Sequence, residues 1–229
     1  MTYVMSDLHG MYDRFIAMLE KIDFSDSDEL FIIGDIIDRG ERPVDILEYV
    51  MDKPNITVLL GNHEVMARDF LRRLTAEITD GNTASFDNDF MVELAIYKHN
   101  GGIPTINRLL ALDKQQRVLD FIDSLYAYEA IDIGDSTFVL VHAGLGNFQK
   151  DKKISEYSLY ELLELRPDYE RQYFDDDSVY IVSGHTPTKL ISGKWEIYHS
   201  HNNIVIDCGA AFGGRLACLR LEDMAEFYV

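Results

Sequence analysis

Asp7 and Asp35 offer carboxylates, His9, His142 and His185 offer imidazoles, and Asn62 offers an amide oxygen. These residues sit in short polar clusters: SDLHG (6–10), GDIIDRG (34–40), GNHE (61–64), HAG (142–144) and GHT (184–186). Imidazoles mixed with oxygen donors suit first-row divalent ions such as manganese, iron or zinc rather than calcium. The set is larger than one catalytic metal with an open coordination position needs. It predicts two ions, with Asp35, from the middle cluster, bridging them. Two cations roughly 4 Å apart polarise a phosphoryl group and acidify a bound water to near neutral pH.

Such a set works only if the chain gathers it in one place. Each cluster follows an apolar, β-prone run, at 3–5, 30–33, 56–60, 137–141 and 179–182. Between the first three runs lie amphipathic stretches. Residues 11–22 put Phe15, Ile16, Leu19 and Ile22 on one helical face, and 44–51 has Pro43 suited to a first helical turn. The β-α-β-α-β order predicts a parallel sheet with covering helices. In open α/β sheets the ligand crevice lies at the carboxyl ends of the strands, where these clusters fall. Residues 65 to about 125 read as a mainly helical insertion, broken by a polar loop from Thr79 to Asp89 that is either a lid or a surface loop. Further strands at 204–206 and 216–221 predict a second, more antiparallel sheet. The class is α/β, in one domain over 1–229.

The 229 residues are 47% hydrophobic, enough for a sizeable core. The net charge of −19 disfavours a polyphosphate backbone as partner, so nucleic-acid binding is not expected. No apolar run reaches the roughly 18 residues of a membrane span. The opening MTYVMSDLHG shows neither a basic n-region nor an apolar h-region. Cys208 and Cys218 lie outside any CxxC pair and read as reduced residues in strand context. Together these features predict a cytoplasmic protein.

The ordered set DLHG, GDIIDRG, GNHE, HAG and GHTP resembles the metallophosphoesterase superfamily. Within it the chain is similar to the phosphoprotein phosphatase family, especially its small bacterial and phage serine/threonine phosphatases. The resemblance extends to the terminal IDCGAAFGGRLACLRLED. It implies a calcineurin-like fold, two packed β-sheets flanked by helices. It implies Asp7, His9 and Asp35 on one ion, and Asp35, Asn62, His142 and His185 on the other. The metal would be manganese, with iron, zinc, nickel or cobalt as alternatives. His63 would be the general acid, oriented by Asp38, and Arg39 would bind phosphate oxygens. A second phosphate-binding arginine is implied between HAG and GHT. Arg166 is the better match, with Arg171 nearby. The implied reaction is in-line attack of metal-activated water on a phosphorylated protein or small phosphate ester.

Symmetrical diadenosine tetraphosphatases are similar throughout, including the GGxLxxLR stretch. Asp38 and the GNHE form of the third motif favour the protein phosphatase over them. A non-catalytic phospho-ligand binding protein would have lost metal ligands, and none of the expected ones is missing.

Other residues imitate sites. His199 and His201 are expected to share a strand face at a surface hairpin end. His99 reads as a helix end before glycine. DFSDSDE (23–29) and FDDDS (174–178) lack the EF-hand spacing and read as solvated turns. Glu64 is either a group steadying a ligand or a helix N-terminal acid. Tyr157, Tyr160, Tyr169 and Tyr173 read as a packed face around Arg166.

Overall fold

The computed structural model describes residues 1–74 and 88–229. Two mixed sheets form the frame. In the first, β1 (Thr2–Met5), β2 (Glu29–Ile33) and β3 (Ile56–Leu59) run parallel, joined by α1 (Tyr12–Lys21) and α2 (Pro43–Met51). The carboxyl-terminal hairpin of β9 (Ala217–Arg220) and β10 (Ala225–Tyr228) adds to β1 antiparallel, giving the order β10-β9-β1-β2-β3. The second sheet contains β4 (Tyr128–Ile133), β5 (Ser136–Val141), β6 (Val179–Ser183), β7 (Tyr198–Ser200) and β8 (Asn203–Val205), in the order β4-β5-β6-β8-β7.

Strand side chains alternate between two cores, as the pleat requires. Val4, Phe31, Ile33, Phe138, Leu140, Val182, Ile204 and Leu219 meet between the sheets. Tyr3, Met5, Leu30, Ile32, Val139, Val141 and Ile181 point outward, into the core shared with the helices. Strands buried on both faces read as unbroken apolar runs, so each run ends where the chain leaves the sandwich. Each fully buried Leu or Ile contributes about 1.5–3 kcal/mol, so the strand ends have firm anchors.

The second sheet is not the more antiparallel one expected, and the strand expected in it at 216–221 pairs with β1 of the first sheet as β9. Its central pairs, β5 with β6 and β6 with β8, are parallel, and only the edge hairpins β4·β5 and β7·β8 are antiparallel. The connections into β6 and β8 are long enough to cross over, which parallel pairing demands. α7 (Leu159–Leu163) lies in the first of them and α8 (Thr188–Ser192) in the second.

Along the chain, between β3 and β4, lie α3 (Asn62–Leu74), α4 (Asn88–His99), α5 (Ile103–Leu112) and α6 (Gln115–Asp123). Of the polar loop expected at Thr79–Asp89, positions 79–87 lie outside the described residues, and Asn88 and Asp89 open α4. His99 does end α4, ahead of Gly101 at φ 92°. His199 and His201 do not share a strand face: His201 lies in the β7–β8 turn at φ 49°, and His199 bonds Glu226 at 2.8 Å. Both cysteines are buried and free. No described helix is long and apolar enough to cross a membrane.

Candidate active site

The loops that leave β1, β2, β3, β5 and β6 converge at one edge of the sandwich. Asp7 (φ 52°), His9 (41°), Asp35 (55°), Asp38 (70°), Arg39 (63°) and His185 (62°) all occupy the left-handed region. That conformation is uncommon outside glycine, is most tolerated by Asp, Asn and His, and concentrates at functional sites. Here the backbone holds it by lacing loop to loop. The N–H of Asp7 bonds Gly34 O at 3.1 Å, that of His9 bonds Asp35 O at 2.9 Å, and that of Gly184 bonds His142 O at 2.7 Å.

Asp35 stands at the centre. Its Oδ1 lies 3.4 Å from His142 Nε2, and its Oδ2 lies 3.5 Å from His9 Nε2. Asn62 Oδ1 is 3.0 Å from both His142 Nε2 and His185 Nδ1. Ligands about 2.1 Å from one ion at tetrahedral or octahedral angles stand about 3.0–3.4 Å apart. Asp35–His142, Asn62–His142 and Asn62–His185 already hold that spacing, and donor atoms of Asp35, His142 and His185 lie within 4.8 Å of one another, so this donor set fits a metal ion. The other set is wider. Asp7 Oδ1 is 3.9 Å from His9 Nε2, and Arg39 Nη1 contacts the same His9 nitrogen, a contact that must open for an ion to bind there. His9 and His142 each turn Nδ1 to a backbone carbonyl, Ile37 O and Ile33 O, both at 2.9 Å. Bonds of this kind fix the tautomer and leave Nε2 free to coordinate.

The charges are unbalanced without cations. Burial, reinforced by the charge of Asp35, pushes the Asp7 carboxyl up, although His142 opposes. Burial and the His142 charge drive His185 down to about 3. His142 is driven up to about 10: burial opposes its charge, but the Asp35 carboxylate outweighs that. Acids buried this densely are costly unless paired or metal-bound.

Glu64 sits beneath this cluster. Its Oε2 accepts from the N–H of Asp35 (2.8 Å) and Gly61 (3.0 Å), and its Oε1 from Ile36 (2.9 Å) and Ile37 (3.3 Å). Burial and the Asp35 charge push its pKa up to about 7. It therefore steadies the loop of Asp35 and also caps the start of α3, so the two readings of Glu64 describe one contact set.

Beside the donor cluster, His63 Nδ1 meets Asp38 Oδ2 at 2.6 Å, and both side chains are buried. Burial disfavours the charged imidazole, yet Asp35 and the Asp38 hydrogen bond outweigh it and raise the His63 pKa. Arg39 Nη2 is 2.9 Å from His63 Nε2. A cavity of about 410 Å³ opens here, bordered by Asp35, Arg39, Asn62, His63, Arg166 and His185. Arg166 donates from Nε to Thr186 Oγ1 at 3.0 Å, and Tyr169 OH donates to the same oxygen at 2.7 Å. Arg171 does not border this cavity. Tyr157 and Tyr173 are core residues, while Tyr160 is exposed.

The rest of the lining was not foreseen. Asn100, Pro187, Lys189, Leu190, Trp195 and Phe212 complete the cavity. The Arg39 guanidinium lies 4.8 Å from the Phe212 ring centre, and Lys189 lies 4.9 Å from that of Trp195. Only Pro187 and Phe212 lie in stretches that the resemblance marks, GHTP and IDCGAAFGGRLACLRLED, and no role was read for them there. For Trp195 the signal was that it is the chain's single tryptophan.

The sequence profile of the calcineurin-like phosphoesterase family matches residues 2–218. Over 66 residues the chain is 41% identical to the symmetrical bis(5'-nucleosyl)-tetraphosphatase of Salmonella typhimurium, a match covering 28% of this chain and 23% of that protein. The same holds for its namesake in Salmonella typhi. The chain thus spans under a quarter of the curated relatives it matches. Among solved structures, one named a candidate diadenosine tetraphosphatase superposes with TM-score 0.67 at 15% identity, covering 100% of this chain and 92% of the other. A serine/threonine phosphatase of Saccharomyces cerevisiae gives 0.60 at 13%, covering 100% and 78%. A metallophosphoesterase of Sphaerobacter thermophilus gives 0.56 at 17%, covering 100% and 87%. Identities this low speak for the fold alone.

Proposed function

Because the chain belongs to the calcineurin-like phosphoesterase family, we propose that it is a metal-dependent phosphomonoester hydrolase, and within that class a serine/threonine protein phosphatase. The observation that carries this reading is the buried Asp38–His63 pair at 2.6 Å, beside Asp35 and open to the cavity. A serine or threonine alkoxide leaves poorly and needs a proton as the P–O bond breaks. A positioned histidine supplies one, for about 10²–10⁴-fold in rate. The Asp38 carboxylate stabilises the imidazolium and fixes Nε2 as the acid nitrogen, whose contact with Arg39 Nη2 at 2.9 Å must open for the proton to reach the substrate.

Asp7, His9 and Asp35 would hold one divalent ion, and Asp35, Asn62, His142 and His185 a second. Manganese is the proposed metal. Two such ions, when bound, supply Lewis acidity to the phosphoryl oxygens and lower the pKa of water. Arg39 and Arg166 both line the cavity beside the donor cluster. Their planar forks match the oxygens of a phosphate. The substrate is a phosphorylated protein or a small phosphate ester.

One observation favours a second reading, a symmetrical dinucleoside polyphosphate hydrolase. Trp195 and Phe212 put two aromatic rings in the cavity lining, on which a base can stack once Lys189 and Arg39 move off them, and the curated relatives carry that name. The test is hydrolysis by metal-stripped protein with Mn²⁺ restored, comparing a phosphoserine peptide with diadenosine tetraphosphate. Faster turnover of the peptide supports the phosphatase. Faster turnover of the dinucleotide overturns it in favour of the second reading. Hydrolysis of neither, with manganese, iron, zinc, nickel or cobalt, refutes both.

A further inference from the structure

The bend at Asp38 and Arg39 is the most strained part of the site, with consecutive non-glycine residues at φ 70° and 63°. A left-handed pair of this kind persists only where its surroundings over-determine it. What surrounds it is the corner between α4 and α5, some 60 residues further along the chain. The N–H of Arg39 donates to Gly101 O at 2.8 Å. The N–H of Asp38 donates to Thr105 Oγ1 at 3.0 Å. Thr105 Oγ1 donates in turn to Asp38 Oδ1 at 2.6 Å, and Tyr97 OH donates to the same oxygen at 2.8 Å. Tyr97 and Thr105 are both buried.

These contacts divide the labour of one carboxylate. Oδ1 is saturated by two hydroxyl donors from the helical insertion, so Oδ2 is left to His63 Nδ1 alone. Burial and the nearby Asp38 charge push the Tyr97 phenol well above its ordinary value, so it remains a donor throughout the working pH range. Without the two hydroxyls, a buried carboxylate can turn about its terminal torsion, which is broad for Asp, and the imidazole loses its fixed partner. The corner itself needs glycine. Gly101 sits at φ 92°, and a Cβ there would meet Arg39 Cγ at 2.8 Å.

We propose that the α4–α5 corner is the positioning device of the general acid, with Tyr97 and Thr105 locking Asp38 so that Asp38 aims His63. The α4–α5 corner then supports the reaction centre from behind, through Asp38. Tyr97 and Thr105 act through Asp38 and do not touch substrate, so they are positioning residues. This inference rests on the proposal that His63 protonates the leaving group.

The test compares kcat on a phosphoserine peptide, which needs that proton, with kcat on 4-nitrophenyl phosphate, whose phenolate leaves readily. Tyr97→Phe, Thr105→Val and the double variant are measured with Mn²⁺ beside His63→Asn, with metal content and circular dichroism as controls. His63→Asn should lose about 10²–10⁴-fold on the peptide and far less on the aryl ester. The double variant should lose a share of this, about 10- to 100-fold on the peptide, with the aryl rate within a few-fold. Thr105→Ser, which keeps the oxygen, should recover most of the peptide rate lost in Thr105→Val. If His63→Asn lowers both substrates equally, the general-acid reading falls and this inference with it. If His63→Asn is selective but the hydroxyl variants change neither rate, or change both alike, the positioning role is refuted while the general acid stands. Should the double variant fail to fold, Tyr97→Phe alone, which removes one oxygen, carries the same comparison.

Discussion

Gly184 follows β6 and carries no left-handed constraint, so alanine fits its backbone. Space is the obstacle: a Cβ there would stand 2.2 Å from Asp7 Oδ2 and 2.4 Å from Ser6 Oγ. Real Cβ contacts stay beyond 3.0 Å, so Asp7 must withdraw by about 0.8 Å at the least. Asp7 Oδ2 also accepts the His185 N–H at 2.9 Å, and that bond moves with it. Metal–ligand distances tolerate only about 0.2 Å, so Asp7 is lost as a proposed ligand. The cost to the fold is smaller. Overpacking costs about 1–3 kcal/mol, offset by about 0.4–1 kcal/mol from the stiffer unfolded chain. Gly184→Ala should therefore stay folded in urea titration but lose affinity for the ion held by Asp7 and His9. Disturbing a mere supporting partner of a ligand typically costs 10–100-fold, and displacing a ligand should exceed about that. Isothermal titration with Mn²⁺ reads this directly. Two ions bound with unchanged affinity would refute the placement of Asp7 and the steric argument together.

Asp35→Asn should leave the protein folded, with less than one equivalent of metal by mass spectrometry and turnover at background, because one side chain serves both proposed ions. Arg39→Lys keeps the charge but loses the fork. Loss of one charged hydrogen bond, about 1.5–3 kcal/mol, predicts a fall of about 10- to 100-fold in kcat/KM, with metal content unchanged. Glu161 is held down at about 2 by the Ser158 N–H and then by Lys152, against an ordinary 4.5. Because its folded value is depressed, its stabilisation is complete above 4.5 and disappears as pH falls through 2. Glu161→Gln should flatten the decline in stability over that window, and an unchanged acid limb in thermal melts would contradict the assignment.

The strand-end clusters were legible because the sandwich buries its strands on both faces. Val4, Ile33, Leu59, Val141 and Val182 read as apolar runs, and Asp7, Asp35, Asn62, His142 and His185 follow as abrupt polar breaks. The strands that escaped notice are different. β4, YEAIDI, and β10, AEFY, are edge strands that are nowhere fully buried, and β7 has three residues. None of them carries the unbroken apolar run that marks a central strand. The mixed order of the second sheet was illegible for another reason: it depends on where crossovers land, not on strand composition. Tyr97 and Thr105 were invisible because each makes its contact over more than 50 residues of chain, through a hydroxyl that any surface tyrosine or threonine also has. Trp195 and Phe212 reach the cavity from connections around β7 and β9, where sequence spacing holds no information about proximity.

The most direct measurement sets bound metal against turnover on the same samples. Chelator-stripped protein is titrated with Mn²⁺, metal is counted by inductively coupled plasma mass spectrometry, and hydrolysis of a phosphoserine peptide is followed at each point. A dinuclear hydrolase shows no turnover when stripped, binds two equivalents per chain, and reaches full rate only as the second is taken up. Undiminished turnover in the stripped protein, or a rate that saturates at one equivalent, would contradict it.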